Sequence, residues 1–173
     1  LTADYKNIEE NLSLLKTGTL ALFKLSKAKK GCIAIKEDKK KQIEDLKKTF
    51  EGTQIEIRTV PNIYPMGWES TLVNELTGKR YNMLPIEAGM ILNNASTAIA
   101  LGNAIDNGMP ITHKYVTVSG DALKDPKNVY VPVGTKAHEI IEAVGGYKEG
   151  VDNVLLIAGG PMMGRTIPND AFV

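Results

Sequence analysis

The stretch Gly31-Cys32-Ile33-Ala34-Ile35 decides the fold of this chain, because a short apolar run rich in β-branched residues predicts a buried strand. The segment that follows, residues 38–52, carries apolar side chains at helical spacing, with Asp38 as a candidate N-cap and Gly52 at its end. Residues 54–60 then alternate between apolar and polar side chains, as a second strand does. A strand, a helix and a strand joined by short links predict a βαβ unit with parallel strands and a right-handed crossover.

Helices and one further strand flank this unit in the sequence. Residues 4–29 have the apolar period of a helix, and Gly18 interrupts the apolar face and predicts a break there. Residues 68–76 predict a short helix, and residues 95–106 predict a helix of small residues. Between them, the apolar run at residues 89–92 predicts a third short strand. The first part of the chain is therefore expected to be α/β.

The pattern changes near residue 112, where a hairpin replaces the alternation of helices and strands. Two strands, a helix and a third strand are predicted in turn, at residues 115–120, 129–133, 137–144 and 153–158. This order predicts a small β-grasp unit of the ubiquitin-like arrangement. We therefore divide the chain into an α/β domain at residues 1–111 and a β-grasp domain at residues 112–173, which includes the start of a following linker.

The composition excludes several classes of protein. Of the 173 residues, 43% are hydrophobic and 24% charged, which is typical of a globular protein and not of a disordered or collagen-like one. A formal net charge of +1 and only 6% aromatic residues argue against a dedicated nucleic-acid binder. No apolar run is long enough to span a membrane, and a single cysteine, Cys32, cannot form an internal disulfide or hold an iron–sulfur cluster. Because the chain begins with Leu1 and not with Met, we expect it to be an internal piece of a longer protein.

The run Leu92-Asn93-Asn94-Ala95-Ser96-Thr97 lies between the predicted third strand and the next helix. Open α/β folds bind ligands at the carboxyl ends of their strands, and a helix N-terminus there presents N–H groups that suit a phosphate. Asn93, Asn94, Ser96 and Thr97 add neutral donors. The alternative is ordinary helix capping, because Asn and Ser are preferred N-caps, and the pattern by itself favours that alternative.

A second polar run, Tyr64-Pro65-Met66-Gly67-Trp68-Glu69, also follows a predicted strand and opens a helix. Gly67 would let a planar ligand approach the backbone, Tyr64 or Trp68 would cover an aromatic ring, and Glu69 would accept hydrogen bonds. The alternative is a Pro-Gly loop with Trp68 in the core. The pattern by itself favours this alternative too.

The third run is Gly159-Gly160-Pro161-Met162-Met163-Gly164. Its glycines permit a tight loop with exposed backbone N–H groups, which can form an anion nest. It is not a P-loop, because the Lys-Ser/Thr ending is absent. On spacing alone, a structural turn that packs two methionines is the better interpretation.

Other polar and reactive side chains favour structural interpretations. The lysines between residues 27 and 41 are diluted by carboxylates and predict a solvated helix face, with docking to an acidic redox partner as the alternative. His113 and His138 have no metal-ligating neighbours in the sequence. Cys32, within an apolar strand, is predicted to be an inert core thiol.

Three segments, taken in order and spacing, resemble the RnfC family, the flavin- and NADH-binding subunit of the Rnf electron-transport complex. They are Tyr64–Glu69, Asn93–Thr97, and Val116–Gly120 followed by Gly159–Gly164. RnfC is itself similar to the 51-kDa flavoprotein subunit of complex I. The resemblance extends over essentially the whole chain. It implies a truncated Rossmann-like domain of the complex I 51-kDa type, followed by a soluble-ligand-binding β-grasp (SLBB) domain.

The resemblance also implies a cofactor and its contacts. In the family, residues of the first two motifs contact FMN, with the flavin ring by the first motif and the phosphate end near the second. FMN there accepts a hydride from NADH and passes single electrons to iron–sulfur clusters. Carried over residue by residue, the implied FMN contacts are Tyr64, Gly67, Glu69, Asn93, Asn94 and Thr97.

This sequence departs from the family pattern in three respects. It contains neither the glycine-rich loop that lies under the flavin phosphate and the NADH nor the cysteine motifs for two [4Fe–4S] clusters. Trp68 stands where RnfC usually has glycine, which favours a soluble RnfC-like relative such as PrdC, the protein associated with proline reductase.

The resemblance leads us to expect a fragment of an NADH-linked electron-transfer protein. Its implied partners are redox proteins or other subunits of an electron-transport complex, and its implied location is the cytoplasm or the inner face of the cell membrane. The alternative is a non-catalytic scaffold module whose β-grasp domain binds a ligand or a partner.

Overall fold

Parallel strands joined by a helix lie at the centre of the first half of the computed structural model, which describes residues 2–160 and 163–170. The elements are α1 (Thr2–Glu10), α2 (Leu12–Ser26), β1 (Gly31–Lys36), α3 (Lys40–Thr49) and β2 (Ile55–Val60). Strands β1 and β2 pair in parallel, from Gly31 opposite Ile55 to Lys36 opposite Val60. The predicted βαβ unit is thus confirmed. Asp38 does not cap α3 but forms an ion pair with Lys39, at 3.1 Å.

Two further helices and a 3₁₀ turn follow β2, namely α4 (Glu69–Thr77), the turn at Pro85–Ala88 and α5 (Ala95–Asn107). Both helices agree with the apolar periods of the sequence. Each ends at a glycine in the left-handed conformation, with φ of 70° at Gly78 and 65° at Gly108. Such φ values are costly for residues that have a Cβ, so glycine fixes both helix ends.

The third strand predicted at residues 89–92 does not form. The backbone N–H of Met90 bonds the carbonyl of Pro85 and closes the 3₁₀ turn, and the segment beyond it runs to α5 without strand pairing. Ile91 is 60% exposed. An apolar run becomes a strand only where a neighbouring strand satisfies its backbone groups, and the described residues supply none at this place.

The predicted helix break at Gly18 is also wrong. The chain breaks at Asn11, between α1 and α2, whereas Gly18 is buried within α2. A Cβ on Gly18 would overlap the carbonyl oxygen of Ala98, and a Cβ on Gly102 would overlap that of Leu14. The two glycines therefore let the backbones of α2 and α5 approach closely, which is the physical reason for glycine inside each helix.

The hydrophobic core of this half lies between the strand pair and helices α1, α2, α3 and α5. Leu15 and Leu46 are almost fully enclosed in it. The other buried members of the core are Ile8, Ile35, Ile43, Phe50, Ile55, Ala98 and Ile99.

A hairpin and a helix organise the remainder of the chain. The elements are β3 (His113–Val118), β4 (Lys127–Pro132), α6 (Ala137–Ala143), β5 (Leu156–Ala158) and β6 (Arg165–Ile167). The antiparallel pairing of β3 with β4 confirms the predicted hairpin. A small core of Leu123, Ile141 and Val144 lies beneath it. Contacts group the chain into two units, Tyr5–Pro110 and Leu1–Asp4 together with Ile111–Val173.

The last predicted strand is shorter than expected and has a different neighbour. Residues 153–155 are irregular, with Asn153 at a φ of 59°, and only Leu156–Ala158 form β5. This strand pairs with β6 and not with the hairpin. The cause is local, because Gly159 at a φ of 116° reverses the chain and returns β6 onto β5.

Candidate functional site

The first motif, at residues 64–69, forms an exposed turn that leads into α4. The Met66 N–H bonds the Ile63 carbonyl at 3.1 Å, and the Trp68 N–H bonds the Pro65 carbonyl at 2.8 Å. Met66, not Trp68, is the side chain of this turn that enters the interior, being 2% exposed. The alternative interpretation, a core Trp68, is therefore wrong.

The chemically useful groups of this turn face solvent. Tyr64 is 68% exposed and Trp68 is 53% exposed, so two aromatic rings are available to a ligand. Gly67 is exposed between them, and Glu69 is the exposed first residue of α4. The turn can therefore cover a planar ring and accept hydrogen bonds, as the sequence motif predicts.

A second carboxylate acts near Glu69. Desolvation raises the pKa of Tyr81 above its ordinary value, and the charges of Glu69 and Glu87 raise it further. Glu87 is thus close enough to share an electrostatic environment with the first motif. The phenol of Tyr81 stays protonated in this environment and remains a hydrogen-bond donor.

Glu87 organises the loop before α5, and sequence reasoning missed it. Its carboxylate accepts backbone N–H bonds from Asn82 at 3.1 Å, Met83 at 3.2 Å and Leu84 at 3.1 Å. These bonds hold the pKa of Glu87 below its ordinary value, the bonds from Asn82 and Leu84 being the largest causes. A Glu three residues after the loop was the only signal in the sequence, and it is too common to be specific.

We expect acid to loosen this loop. The folded state holds the pKa of Glu87 below the ordinary value of 4.5, so its stabilising effect is complete above that value and is lost as the pH falls through the lowered pKa. Amide hydrogen exchange should therefore quicken at Asn82, Met83 and Leu84 below this pH. Glu87→Ala should produce the same change at neutral pH.

Glu75→Ala is a matched control, because Glu75 is also exposed and, among the described residues, no backbone N–H bonds to its carboxylate. Unchanged exchange at the three amides in Glu87→Ala would contradict the assignment of the carboxylate.

The second motif, at residues 93–97, caps α5. The Asn94 Oδ1 accepts the Ser96 N–H at 2.7 Å, and the Asn94 carbonyl accepts the N–H groups of Thr97 and Ala98, each at 3.1 Å. The capping interpretation is thus confirmed for Asn94. Asn93 and Thr97 are exposed beside it, so their side chains can reach a ligand at the helix N-terminus.

A buried amide supports this cap from another helix. Asn7 of α1 is 8% exposed, and its Nδ2 donates to the Ser96 Oγ at 2.9 Å. The Asn11 Nδ2 in turn donates to the Asn7 Oδ1 at 2.9 Å. The chain of hydrogen bonds fixes the first turn of α5 against α1. Sequence reasoning missed it because its members lie far apart along the chain.

The six predicted contact residues form two groups. Tyr64, Gly67 and Glu69 lie at the N-terminal end of α4, and Asn93, Asn94 and Thr97 lie at the N-terminal end of α5. The extensive contacts of α4 are with the 3₁₀ turn, whereas those of α5 are with α2. Each group is brought together locally, and the contacts of these helices do not join the two groups directly.

The third motif is described only in part, because Pro161 and Met162 lie outside the described residues. The Gly164 N–H bonds the Gly160 carbonyl at 2.7 Å. A Cβ on Gly159 would lie 2.8 Å from the Gly164 Cα, so glycine permits this tight turn.

Cys32 differs from its prediction, because the thiol is exposed and is not a core group. β1 turns Cys32 away from the face on which Ile33 and Ile35 pack against the core. Partial desolvation nevertheless raises the pKa of Cys32, with Arg58 lowering it and Glu56 raising it. The thiol is therefore mainly protonated at neutral pH.

The histidines have structural neighbours. His113 stacks on Tyr130 with ring centroids 5.1 Å apart, and the backbone N–H of His138 bonds the Asp170 carbonyl at 2.7 Å. Across residues 2–160 and 163–170, no group of three or more His, Cys, Asp or Glu side chains is arranged to hold a metal ion.

The family follows from the first half of the chain. Residues 1–103 match the family described as the Nuo51 FMN-binding domain, of the complex I 51-kDa type. This chain belongs to that 51-kDa family. Residues 115–166 match the SLBB domain. The expected fold class, a 51-kDa-type α/β domain followed by an SLBB domain, is therefore confirmed.

Relatives of this 51-kDa-type chain are C subunits of ion-translocating complexes. That of the proton-translocating ferredoxin:NAD(+) oxidoreductase complex of Clostridium ljungdahlii is 39% identical over 166 residues, which are 95% of this chain and 36% of the relative. Its counterpart in the Na(+)-translocating complex of Acetobacterium woodii is 30% identical over 169 residues, 96% of this chain and 38% of the relative. The corresponding protein of the ion-translocating oxidoreductase complex of Rhodobacter capsulatus is 35% identical over 173 residues, 98% of this chain and 33% of the relative.

These relatives confirm the resemblance to RnfC. The chain spans about a third of the length of the curated relatives it matches. In the part of the chain that the structure describes, no helix is both long enough and apolar enough to cross a membrane.

Proposed function

We propose that this chain is the flavin-binding and SLBB portion of an electron-transfer subunit related to RnfC. The observation that carries the proposal is the match of residues 1–103 to an FMN-binding domain, together with relatives that belong to ferredoxin:NAD(+) oxidoreductase complexes. The two exposed polar motifs provide the residues that such a role requires.

The donors at α5 suit the phosphate end of FMN. The helix spans Ala95–Asn107, long enough to give its N-terminus a positive dipole end, and Asn93 and Thr97 are exposed there. Asn94 holds the turn in shape through the Ser96 N–H. These donors are neutral, so they would orient a phosphate through hydrogen bonds and the dipole instead of through a full positive charge.

The turn before α4 suits the flavin ring. Tyr64 is exposed and would lie against the ring, and the absence of a side chain at Gly67 would let the ring approach the backbone. Glu69 would accept a hydrogen bond from the ring system. When bound, FMN supplies hydride acceptance and single-electron transfer, and the chain supplies binding and orientation.

NADH and iron–sulfur chemistry would require parts beyond these residues. One cysteine cannot ligate a [4Fe–4S] cluster, and the family's glycine-rich loop is not in this sequence. We therefore assign NADH binding, the clusters and the partner subunits to the full electron-transfer protein, at the cytoplasmic side of the membrane. Its association with proline reductase stays a prediction that depends on Trp68.

We expect the 173-residue chain alone to show no NADH-dependent reduction of an artificial dye above a control without protein. The complete gene product, purified with its flavin, should show that activity. Dye reduction by the chain alone would contradict the proposal that the NADH site lies outside it. A complete gene product that retains no FMN would contradict the flavin role itself.

The alternative function is a non-catalytic module that binds a ligand or a partner. It is favoured by the outer face of the hairpin, where Tyr130 is 59% exposed and stacks with both His113 and Tyr115. A complete gene product that lacks flavin but binds a partner through this face would support the alternative.

A further inference from the structure

Six exposed lysines gather at the end of the strand pair where both strands begin. The chain leaves α2 through Lys27 to enter β1, and it leaves α3 to enter β2. Gly31 and Ile55, the first residues of the two strands, are paired, so both helix ends lie at this edge. We call this surface the basic end, and its lysines are Lys24, Lys27, Lys29, Lys30, Lys47 and Lys48.

The charge of the basic end is not neutralised by nearby side chains. Among residues 2–160 and 163–170, ion pairs involve lysines elsewhere, such as Lys6 with Glu10 at 2.8 Å and Lys127 with Asp125 at 2.7 Å. None of the six lysines of the basic end takes part in one. The carboxylates that begin or precede β2 here are Glu51 and Glu56. A chain with a net charge of +1 thus carries a locally concentrated positive surface.

An aliphatic side chain projects from the same surface. Leu25, in the last turn of α2, is 74% exposed, whereas Leu22 and Phe23 pack against the core. Helix C-termini favour lysine, which accounts for Lys24 without reference to a partner. That effect does not account for an exposed leucine, nor for lysines in the loop beyond the helix.

The composition of the surface favours a lipid partner over a protein partner. All six cations are lysines, and protein interfaces are enriched in arginine and depleted of lysine. Arginine suits paired recognition of one carboxylate, whereas lysine acts as a hydrated point charge on a flexible stem. Flexible lysines around an exposed leucine suit a diffuse layer of phosphate headgroups, into which the leucine can insert.

We propose that the basic end docks this chain onto an anionic lipid surface. Lys24, Lys27, Lys29 and Lys30 are attracted to the headgroups, and Leu25 enters the boundary between headgroups and acyl chains. The inference goes beyond the proposed function and does not depend on flavin binding. It assigns a direct lipid contact to a chain whose described helices do not span a membrane.

The test is sedimentation of the purified chain with vesicles of phosphatidylcholine, prepared with and without phosphatidylglycerol. The chain should bind only the vesicles with phosphatidylglycerol, at low salt and much less at high salt. Each lysine near an anionic surface contributes about a fivefold gain in partitioning. Changing Lys24, Lys27, Lys29 and Lys30 together to Gln should therefore lower partitioning by at least about a hundredfold. Leu25→Ser should lower it by about tenfold.

A matched variant separates the position of the charges from their number. Changing four exposed lysines outside the basic end to Gln removes the same charge and should leave binding within a few-fold of the parent, the four being Lys40, Lys114, Lys124 and Lys148. All the variants are at exposed positions, and thermal melts should show that they fold.

Three outcomes would overturn the proposal. The first is failure of the folded parent chain to bind the anionic vesicles, which would leave a solvated surface. The second is an equal loss of binding in the two four-lysine variants. The third is binding to an acidic protein or to polyglutamate but not to vesicles, which would assign the basic end to a protein partner.

Discussion

Gly18→Ala should destabilise the chain by about 3 kcal/mol or more, the largest effect we expect from any single methyl group. The added Cβ would overlap the carbonyl oxygen of Ala98 and lie 2.7 Å from its carbon. Those are backbone atoms of α5, so the clash is relieved only when the two helices separate. Alanine gains about 1 kcal/mol over glycine in helix propensity, which is too little to compensate. Chemical denaturation followed by circular dichroism measures the change.

The exposed Ser13, on the same helix, provides the control, and Ser13→Ala should change the stability by less than about 0.5 kcal/mol. Gly102→Ala should be as harmful as Gly18→Ala, because its Cβ would overlap the Leu14 carbonyl. The double variant should cost less than the sum of the two, since separated helices relieve both clashes. A Gly18→Ala melt at or above that of the parent would disprove the close approach.

Asn94→Ala should lower the affinity of the complete gene product for FMN by roughly tenfold to a hundredfold, which corresponds to the loss of one hydrogen-bonded group at a helix N-terminus. The substitution also removes the acceptor for the Ser96 N–H, so it should cost about 1 kcal/mol of stability as a lost cap. The two effects are separated by recording both the flavin content and the melting temperature of the flavin-free protein. Flavin loss should greatly exceed the change in melting temperature.

Tyr64→Ala provides a comparison without a capping effect, because Tyr64 is exposed in the loop before α4. It should weaken flavin binding through the loss of ring contact and leave the melt of the flavin-free protein unchanged. If parent, Asn94→Ala and Tyr64→Ala proteins retain equal amounts of flavin, capping alone explains Asn94, and neither motif contacts the cofactor.

Local patterns predict those elements whose stability is decided locally. The helix at residues 40–49 has its apolar residues on one face, and the helices ended by Gly78 and Gly108 carry their stop signals in the sequence. Asn94 has the residue type and position of an N-cap, and it is one. In each case the physical cause lies within a few residues of the effect.

The errors arise where a distant partner decides the outcome. Glycine within a helix is compatible with a break or with close packing, and only the position of α5 shows that Gly18 serves packing. The run at residues 89–92 is apolar enough for a strand, but the described residues offer it no neighbour to pair with. An apolar strand predicts a core position for Cys32 only if both faces of the strand are covered, and here the thiol is exposed. Glu87 escapes prediction because its three partners are backbone groups, which leave no mark on the sequence.

The hydrogen bond from Asn7 to Ser96 has a consequence for where this domain can be trimmed. Asn7 lies near the start of the described chain, yet its amide holds a hydroxyl in the first turn of α5, 89 positions further on. A shortened protein that began at α2 would keep every residue of both candidate motifs and still lose the support of that turn. The minimal unit that can present the Asn93–Thr97 turn in its native shape therefore includes α1.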